Sequence, residues 1–370
     1  MDKKIKLAFC TDGIFPYSVG GMQRHSRLLV EALATYNIDI IVFHPHQERL
    51  FEKFDNIREI YIQDIDKNKN YLQENYKYSK RIYEHLKNMP EHVVYSQGMS
   101  VWHKIKNLKN KIIINPHGLE SYQAIGIKDR IIAVPFKIIF NRIFNRADFV
   151  VSLGGILTDI LKKNITNYNT EIAVLPNGVN LPENKNIYSP KNSDLNLFFI
   201  SRFAANKGID ILLEVAESLN SDGYTDIKYK LAGKGPLFET LKSKYKADNI
   251  DFLGFVSDEE LSELYDESDA FVLPTLFEGM PTVVLEAMSH SLPIIVTNVG
   301  ATAELVDLNN GFLIQKNSKS ELKKAILNFI ELTTEKKIKL SENSYNKIKD
   351  QFTWSTIAKK HIELFKNVEV

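Results

Sequence analysis

Residues 269–288 read DAFVLPTLFEGMPTVVLEAM, and this stretch is the clearest indicator of the fold. It opens with an apolar run that ends at a proline, a pattern typical of a buried strand. From Thr282 to Met288 the apolar residues recur at helical spacing. Glu278 lies before this predicted helix and Glu286 lies inside it, so the two glutamates flank a strand-to-helix turn.

The same alternation of short apolar runs and amphipathic stretches continues along the whole chain. The runs include IKLAFCT, DIIVFHP, KIIINPHG and EIAVLPNGV in the first half, and LNLFFISRF, YKLAGKG and PIIVTNV in the second. Strands that alternate with helices indicate a parallel sheet covered by helices on both faces. The segment 179–196 between the halves is polar and contains two prolines, so we interpret it as a linker.

These patterns predict an α/β fold with two doubly wound, Rossmann-like domains that face each other across a cleft. The predicted domains are residues 1–180 and 181–350. Residues 351–370 are expected to form a terminal helix that packs back toward the first domain, with packing on the second domain as the alternative. The chain has 370 residues, 44% of them apolar, which suffices for two buried cores.

The charge is divided unevenly between the halves. Residues 1–180 hold 25 Lys and Arg against 18 Asp and Glu, a net +7, which leaves 22 against 28, a net −6, for the rest of the 47 cations and 46 acids. Most of the positive excess lies in residues 101–146. This favours an anionic surface or substrate near the first half, although a solvated basic face is an equal alternative. We expect no nucleic-acid partner.

The start of the chain, MDKKIKLAFCTDG, has too short an apolar run for a signal peptide and is interpreted as a first strand. We therefore expect a cytoplasmic protein, with the inner face of the cell membrane as a further location. A two-domain solute-binding protein would require export, which this start does not favour. The single cysteine, Cys10, is interpreted as a small core residue.

In the second half, chemically suitable residues follow the predicted strands. Arg202 and Lys207 stand at the start of a helix, where two cations and free amides could hold a diphosphate. Gly233 lies in a Gly-Lys-Gly-Pro turn that would let the backbone approach a ligand closely. Most such turns are simply tight turns, so Gly233 alone is a weak signal.

The turn that carries Glu278 and Glu286 offers a suitable group for each part of a nucleotide-diphosphate sugar. Pro281 suits the first helical position, so the amides of Thr282 and its neighbours would form an anion site. Thr282 and Glu286 are four residues apart and share one helix face. Since carboxylates accept hydrogen bonds from diols, Glu286 suits the ribose and Glu278 suits the sugar, with the diphosphate between them. The alternative is a solvated turn.

The segments SRFAANKG, LAGKGP, FLGFVSDEELSELYDESDAFVLPTLFEGMPTVVLEAM and PIIVTNVGATAELV together resemble the donor domain of the retaining group 1 (family 4) glycosyltransferases of the GT-B fold. The mark of that family is a pair of glutamates separated by seven residues. The motifs VGG, NPHGLE, LPNGV and FTWSTIA extend the resemblance over nearly the whole chain.

The resemblance implies roles for particular residues. Arg202 and Lys207 would bind the diphosphate, Glu286 the ribose and Glu278 the transferred sugar. Backbone at Gly279 and Met280 would also touch the sugar, and backbone near Val256 would contact the base.

In the first half, amides at Gly20 and Gly21 are expected to reach the distal phosphate. The resemblance gives His117 a contact with the donor sugar, with Glu120 nearby. The expected catalytic residues are therefore Glu278, His117, Arg202 and Lys207. A flexible surface loop is the alternative for the two glycines, and a structural role is the alternative for the histidine.

No metal site is expected, because the histidines are not accompanied by Cys or carboxylates at ligand spacing. The triplet Asp64-Ile65-Asp66 is a D-x-D of the kind that holds a metal in other glycosyltransferases, but its polar surroundings favour a surface turn.

The predicted activity is transfer of a hexose or N-acetylhexosamine from a UDP- or GDP-sugar, with UDP favoured, to a hydroxyl of a carbohydrate or lipid-linked carbohydrate. We expect retention of anomeric configuration, no cofactor, and a role in bacterial surface polysaccharide or glycolipid synthesis. The alternatives are a nucleotide-sugar epimerase of the same fold and a catalytically silent relative that binds nucleotide sugar.

Residues 136–147, FKIIFNRIFNRA, form a basic amphipathic segment. Such a helix can lie on an anionic membrane, which would give the protein peripheral membrane contact. A core helix with a basic outer edge is the alternative, since the strand FVVSLG follows directly.

Overall fold

The computed structural model describes residues 4–66, 68–124, 126–183 and 195–369. Most of the linker predicted at 179–196 lies outside these ranges. The chain forms two compact units, of which the first comprises residues 1–178 and 354–370 and the second comprises residues 179–353. The predicted domain ends at 180 and 350 differ from this division by two and three residues.

All the strands of the described chain that pair do so in parallel. The first unit contains β1 (Ile5–Cys10), β2 (Ile38–His44), β3 (Ile57–Tyr61), β4 (Val93–Gln97), β5 (Ile112–Asn115), β6 (Phe149–Ser152) and β7 (Glu171–Val174). The second unit contains β8 (Leu195–Ile200), β9 (Ile227–Ala232), β10 (Ile250–Gly254), β11 (Ala270–Leu273), β12 (Ile294–Thr297) and β13 (Gly311–Ile314).

Both sheets are doubly wound, and their strand orders follow the same pattern except that the first sheet has one more strand at its end. The first runs β3-β2-β1-β4-β5-β6-β7 and the second runs β10-β9-β8-β11-β12-β13. In each, the chain starts at a central strand, proceeds to one edge and then crosses to the other side of its start. The strand order therefore reverses between β1 and β4 and between β8 and β11, the points at which open α/β sheets bind ligands. The prediction of two Rossmann-like α/β sheets is confirmed.

Helices connect these strands. They are α1 (Gly21–Leu33), α2 (Tyr71–Leu86), α3 (Ile127–Phe144), α4 (Ile156–Asn164), α5 (Ile209–Ser221), α6 (Phe238–Lys244), α7 (Asp258–Glu267), α8 (Thr282–Ser289), α9 (Thr302–Leu305), α10 (Lys319–Ile330), α11 (Thr334–Gln351) and α12 (Trp354–Glu369). Among the helices that the structure describes, none is both long enough and apolar enough to cross a bilayer.

The terminal helix α12 belongs to the first unit and completes its core. Ile357 and Phe365 are fully buried with Phe9 of β1 and Leu29 of α1 in one hydrophobic cluster. At the start of α12, Trp354 packs against Gly178, where an added Cβ would lie 2.7 Å from the indole ring. No larger side chain fits at Gly178 without moving the helix.

Candidate functional site

The centre of the second unit is built by two loops that are tied to each other by their backbones. The loop after β8 ends at Gly208, whose φ is 68° and whose Cβ position lies 2.0 Å from the carbonyl oxygen of Pro274 in the loop after β11. Leu276 donates its N–H to the Asn206 carbonyl at 2.8 Å. A glycine is required at 208, because any side chain would push the two loops apart.

This packing brings together two residues of opposite charge that the sequence places 71 positions apart. Lys207 Nζ lies 2.6 Å from Glu278 Oε1, and the side chains are only 23% and 12% exposed. Thr275 Oγ1 donates to the same carboxylate oxygen at 3.0 Å. The sequence prediction assigned Lys207 to the diphosphate and Glu278 to the sugar, and it did not foresee that the two pair with each other.

Arg202 follows β8 directly and differs from Lys207 in its surroundings. Its side chain is exposed, and across the described ranges it forms neither an ion pair nor a side-chain hydrogen bond. A guanidinium in this state presents its full donor fork to solvent. The site therefore combines a paired cation and an unpaired one at the carboxyl end of the same strand.

The second glutamate is oriented by a residue that the sequence analysis missed. Tyr265, at the buried end of α7, donates its hydroxyl to Glu286 Oε2 at 3.3 Å. Tyr265 lies in the quoted resemblance segment, but its spacing alone indicates only a core aromatic. Glu286 and Thr282 share one face of α8, as predicted.

The start of α8 requires one correction. Pro281 was expected at the first helical position, but it occupies the N-cap with φ −69° and ψ 115°, and the helix begins at Thr282. The N-cap has no side-chain hydrogen bond, since proline offers none. The amide-rich end of this eight-residue helix is thus left without a capping side chain, which suits an anion.

The turn between the glutamates is held by the loop after β12. Gly300 has a φ of 57°, and a Cβ there would lie 2.3 Å from the Glu278 carbonyl oxygen and 2.4 Å from that of Gly279. The Ala301 amide donates to the Gly279 carbonyl at 2.8 Å. Met280 is buried beside this contact. The backbone of the turn is therefore fixed before any ligand arrives.

The remaining predicted donor residues of the second half lie at the same sheet edge. Gly233 follows β9 with a φ of 113°, and its Cβ position lies 2.0 Å from the Ser201 carbonyl oxygen. The absence of a side chain at Gly233 therefore serves loop-to-loop packing, and the expected approach of its backbone to a ligand stays a prediction. Val256 is half-buried after β10 and precedes the capping box that starts α7.

The other predicted residues belong to the first unit. Gly20 and Gly21 are exposed at the start of α1, which has no side-chain cap. A Cβ at Gly21 would meet nothing within 4 Å. Packing within the protein does not require glycine at this position, and its expected contact with a phosphate stays a prediction.

His117 follows β5 in a left-handed conformation with a φ of 58°. Its Nε2 donates to the side-chain oxygen of Gln97 at the end of β4. Burial lowers the pKa of His117 to about 3. The imidazole is therefore neutral at pH 7, and with Nε2 as the donor its Nδ1 is left as an acceptor. Glu120, expected nearby, is exposed at the start of a short 3-10 helix.

A buried chain of hydrogen bonds runs from His117 to the terminal helix. The His117 amide donates to Asn115 Oδ1 at 3.0 Å, and Asn115 Nδ2 donates to the Tyr95 hydroxyl at 3.2 Å. Tyr95 in turn donates to His361 Nε2 at 3.0 Å, and His361 Nδ1 donates to the Ile357 carbonyl at 2.8 Å. Asn115, Tyr95 and His361 are fully buried. Sequence reasoning missed this network because its members lie on three separate segments.

A further histidine lies against His117. The His25 ring of α1 meets the His117 ring edge-on, with centroids 5.0 Å apart, and meets Trp354 at 5.4 Å. Burial, followed by the neighbouring His117 and His361, holds the pKa of His25 well below its usual range. These rings form a neutral aromatic support for His117.

The loop after β1 also lines a cavity of about 370 Å³ within the first unit. Asp12, Asp64, Asp66 and Tyr71 are among its lining residues. Burial raises the pKa of Asp12 to about 6, and the negative charge of Asp64 adds to this effect.

The D-x-D triplet makes the hydrogen bonds of a surface turn. Asp64 accepts from the next amide at 2.7 Å, and Asp66 pairs with Lys69 at 3.0 Å. Within the described ranges, no three His, Cys, Asp or Glu side chains are grouped so that they could hold a metal ion.

Two family models match the chain and together extend over residues 19–347. The model described as Glycosyltransferase Family 4 matches residues 19–183, which hold Gly20, Gly21 and His117. The model described as Glycosyl transferases group 1 matches residues 181–347, which hold both glutamates and both cations of the second unit.

Curated relatives and solved structures agree with these matches. An uncharacterised glycosyltransferase of Methanocaldococcus jannaschii is 27% identical over 350 residues, 92% of each chain. A putative colanic acid biosynthesis glycosyltransferase, WcaL of Escherichia coli, is 23% identical over 64% of this chain and 61% of its own.

Among solved structures, sucrose-phosphate synthase from Thermosynechococcus elongatus superposes with a TM-score of 0.80 at 18% identity, over 98% of this chain and 99% of that one. Anabaena HepE in complex with UDP-glucose superposes with a TM-score of 0.68 at 16% identity, over 98% and 100%. The chain belongs to the group 1 glycosyltransferases and has their GT-B fold.

Proposed function

We propose that the protein transfers a hexose or N-acetylhexosamine from a UDP-sugar to a hydroxyl of a carbohydrate or lipid-linked carbohydrate acceptor, with retention of anomeric configuration. The observation that carries this proposal is the carboxylate and two cations gathered at the switch point of the second sheet. Lys207 and Glu278 are in contact there, and Arg202 follows the same strand.

Each part of the donor has a suitable partner at this edge. Arg202, Lys207 and the uncapped start of α8 carry positive charge or partial positive charge for the diphosphate. Glu286, oriented by the Tyr265 hydroxyl, suits the ribose diol, and Glu278 suits a sugar hydroxyl. That the solved HepE structure contains UDP-glucose supports a UDP-sugar over a GDP-sugar.

The proposed chemistry proceeds on one face of the sugar. The bond between the anomeric carbon and the diphosphate oxygen breaks while the acceptor oxygen attacks from the same side. The acceptor's proton passes to the departing diphosphate, whose charge Arg202 and Lys207 stabilise. His117 is neutral and would take part as a hydrogen-bonding group on the transferred sugar.

The similarity to the colanic acid protein supports a role in surface polysaccharide synthesis. We place the reaction in the cytoplasm because nucleotide sugars are made there, and propose that it needs neither a metal ion nor a cofactor.

Thermal unfolding with UDP, GDP, ADP and their common sugars tests the donor. A ligand at about one hundred times its Kd adds about 2.7 kcal/mol of stability, which is a measurable shift. We expect UDP and one UDP-sugar to stabilise the protein, and Glu286→Ala to abolish the shift. Glu259→Ala, which removes an exposed carboxylate of α7, is the matched control.

Turnover with the UDP-sugar so identified tests the reaction. Lys207→Ala should lower kcat by two to three orders of magnitude, on the scale of other lost preorganised donors. NMR of the new glycosidic bond reports its anomeric configuration, and inversion would contradict the mechanism. Nucleotide binding without turnover on any acceptor would favour a silent relative, and interconversion of the UDP-sugar would favour an epimerase.

A further inference from the structure

Helix α3 carries an unusual number of exposed apolar side chains. Ten aliphatic side chains are among the large hydrophobic residues exposed in the described ranges, and five of them lie on this one helix. They are Ile127 at 79% exposure, Ile131 at 68%, Ile132 at 65%, and Val134 and Ile138 at 49% each. An exposed apolar patch on this scale marks an interaction surface more often than a solvated face.

Four of these residues form one continuous stripe. Ile127, Ile131, Val134 and Ile138 are separated by four, three and four residues, the spacing that keeps side chains on one face of a helix. The opposite side of α3 packs into the first unit, where Ala133, Ile139, Ile143 and Phe144 are buried. The helix therefore has two apolar faces, and its own domain covers one.

The predicted amphipathic segment 136–147 contains only Ile138 of the four stripe residues. The helix begins at Ile127, nine residues earlier, and continues through Pro135. Its buried residues are those of the core-helix alternative, while the stripe gives it an outer face as well.

Cations border the stripe at its carboxyl end. A groove of about 670 Å³ is lined there by Lys104, Lys106, Arg142 and Arg146, together with Trp102 and Asn145. All four cations are exposed, and none forms an ion pair in the described part of the chain. No carboxylate is among the groove's lining residues.

The cations of the helix itself add to those of the groove. Lys128 and Arg130 lie near the amino end of the stripe, and Arg142 continues the stripe four residues beyond Ile138. The single acid of α3, Asp129, lies about 200° around the helix from Ile127, on the side away from the stripe. Apolar side chains edged by cations match a bilayer surface, where acyl chains lie beneath anionic phosphates.

We propose that the α3 stripe and the adjoining basic groove are a docking surface for an anionic lipid bilayer. The helix lies in the interface with its four aliphatic side chains among the upper acyl chains, and the groove binds the phosphates of the lipid headgroups. This goes beyond the proposed glycosyl transfer and does not depend on it, since no residue of the surface belongs to the donor site.

Co-flotation of the full chain with vesicles tests the surface. We expect binding to vesicles of equal parts phosphatidylglycerol and phosphatidylcholine, and little binding to phosphatidylcholine alone. Arg142→Gln with Arg146→Gln should weaken partitioning about thirty-fold, since each cation near an anionic surface contributes a factor of about five. Ile131→Gln with Ile138→Gln should weaken it at least tenfold.

Matched controls change exposed residues of the second unit. Leu308→Gln removes an aliphatic side chain that is 87% exposed, and Lys336→Gln with Lys349→Gln removes two exposed cations of α11. Both should bind vesicles as the wild type does. All the substitutions are at exposed positions, so an unchanged unfolding temperature shows that each variant is folded.

Three results would overturn the proposal. The first is equal partitioning to neutral and anionic vesicles, and the second is wild-type binding by both the arginine and the isoleucine variants. The third is calorimetric binding of glycerol phosphate or inorganic phosphate without any vesicle binding, which would make the groove a soluble-anion site. Binding that falls steeply as salt is raised, with only the arginine and isoleucine variants impaired, would support it.

Discussion

Substitution of Glu278 by glutamine should tighten UDP binding while it reduces turnover. Without a ligand, the Glu278 carboxylate holds Lys207 at 2.6 Å. A diphosphate that needs Lys207 must compete with this carboxylate and also tolerate its negative charge. Glutamine keeps the shape of the side chain and can still accept the Thr275 hydrogen bond, but it removes both obstacles.

The size of the effect follows from the geometry. Two unit charges 2.6 Å apart interact by about 6 kcal/mol at an effective dielectric constant of about 20, and by about 2 kcal/mol in bulk water. The cost of desolvating two part-buried side chains offsets most of this energy, so we expect a net coupling of about 1–2 kcal/mol. In Glu278→Gln, UDP no longer has to break this interaction to reach Lys207, so the Kd for UDP should fall about 5- to 30-fold.

Isothermal titration calorimetry with UDP measures the change directly. The double variant Lys207→Gln with Glu278→Gln completes a mutant cycle, and it should show no gain over Lys207→Gln alone, because the benefit acts through Lys207. Glu259→Gln serves as a charge-matched control. Turnover of Glu278→Gln should fall about 100-fold, since the transferred sugar loses a carboxylate. UDP binding that is unchanged or weaker in Glu278→Gln would refute the competition.

The remaining predictions concern stability, pH and positioning. Gly208→Ala should destabilise the fold by at least about 3 kcal/mol in urea unfolding because it combines a φ of 68° with a clash, whereas Gly223→Ala, with φ 96° and open space, should cost about 1 kcal/mol. Burial raises the pKa of Asp12 from 3.8 to about 6, so its stabilising contribution is present below about pH 4 and is lost as the pH rises through 6. Urea unfolding should therefore show Asp12→Asn to be about 2–3 kcal/mol more stable than the wild type at pH 7.5 and equal to it near pH 3. Asn115→Ala should lower kcat about tenfold with little change in the Kd for UDP, because Asn115 holds His117 in position. If kcat and the affinity for UDP fall by the same factor, the hydrogen bonds that hold His117 have a purely structural role.

The sequence predicted the fold well because the signals that determine it are local. Apolar runs of strand length and helical periodicity lie within short windows, so both parallel sheets and the turn around Glu278 could be inferred. The sheet rule then placed Arg202 and Lys207 at one edge with the glutamates, since all follow strands of one sheet. That inference required no contact between residues far apart in sequence.

Two of the features that sequence reasoning missed depend on long-range contacts. The pairing of Lys207 with Glu278 exists because Gly208 packs on a loop that follows another strand. The network that holds His117 ends at His361, 244 positions later, where helical periodicity indicated only an apolar stripe. The exposed face of α3 was missed for a different reason: an apolar run in the sequence does not show which of its residues the domain leaves uncovered.

Glycines explain how the second unit keeps its site assembled without a ligand. Gly208, Gly233 and Gly300 each face a carbonyl oxygen that lies 2.3 Å or less from their Cβ position, so neighbouring loops pack backbone to backbone. These contacts fix the loops, and the freedom that remains belongs to side chains at their tips. In the proposed reaction, transfer of Lys207 from Glu278 to a diphosphate would then require only rotation of side chains. A site built this way is preorganised in its backbone and adjustable in its charges, which suits an enzyme that must bind a dianionic leaving group and then release it.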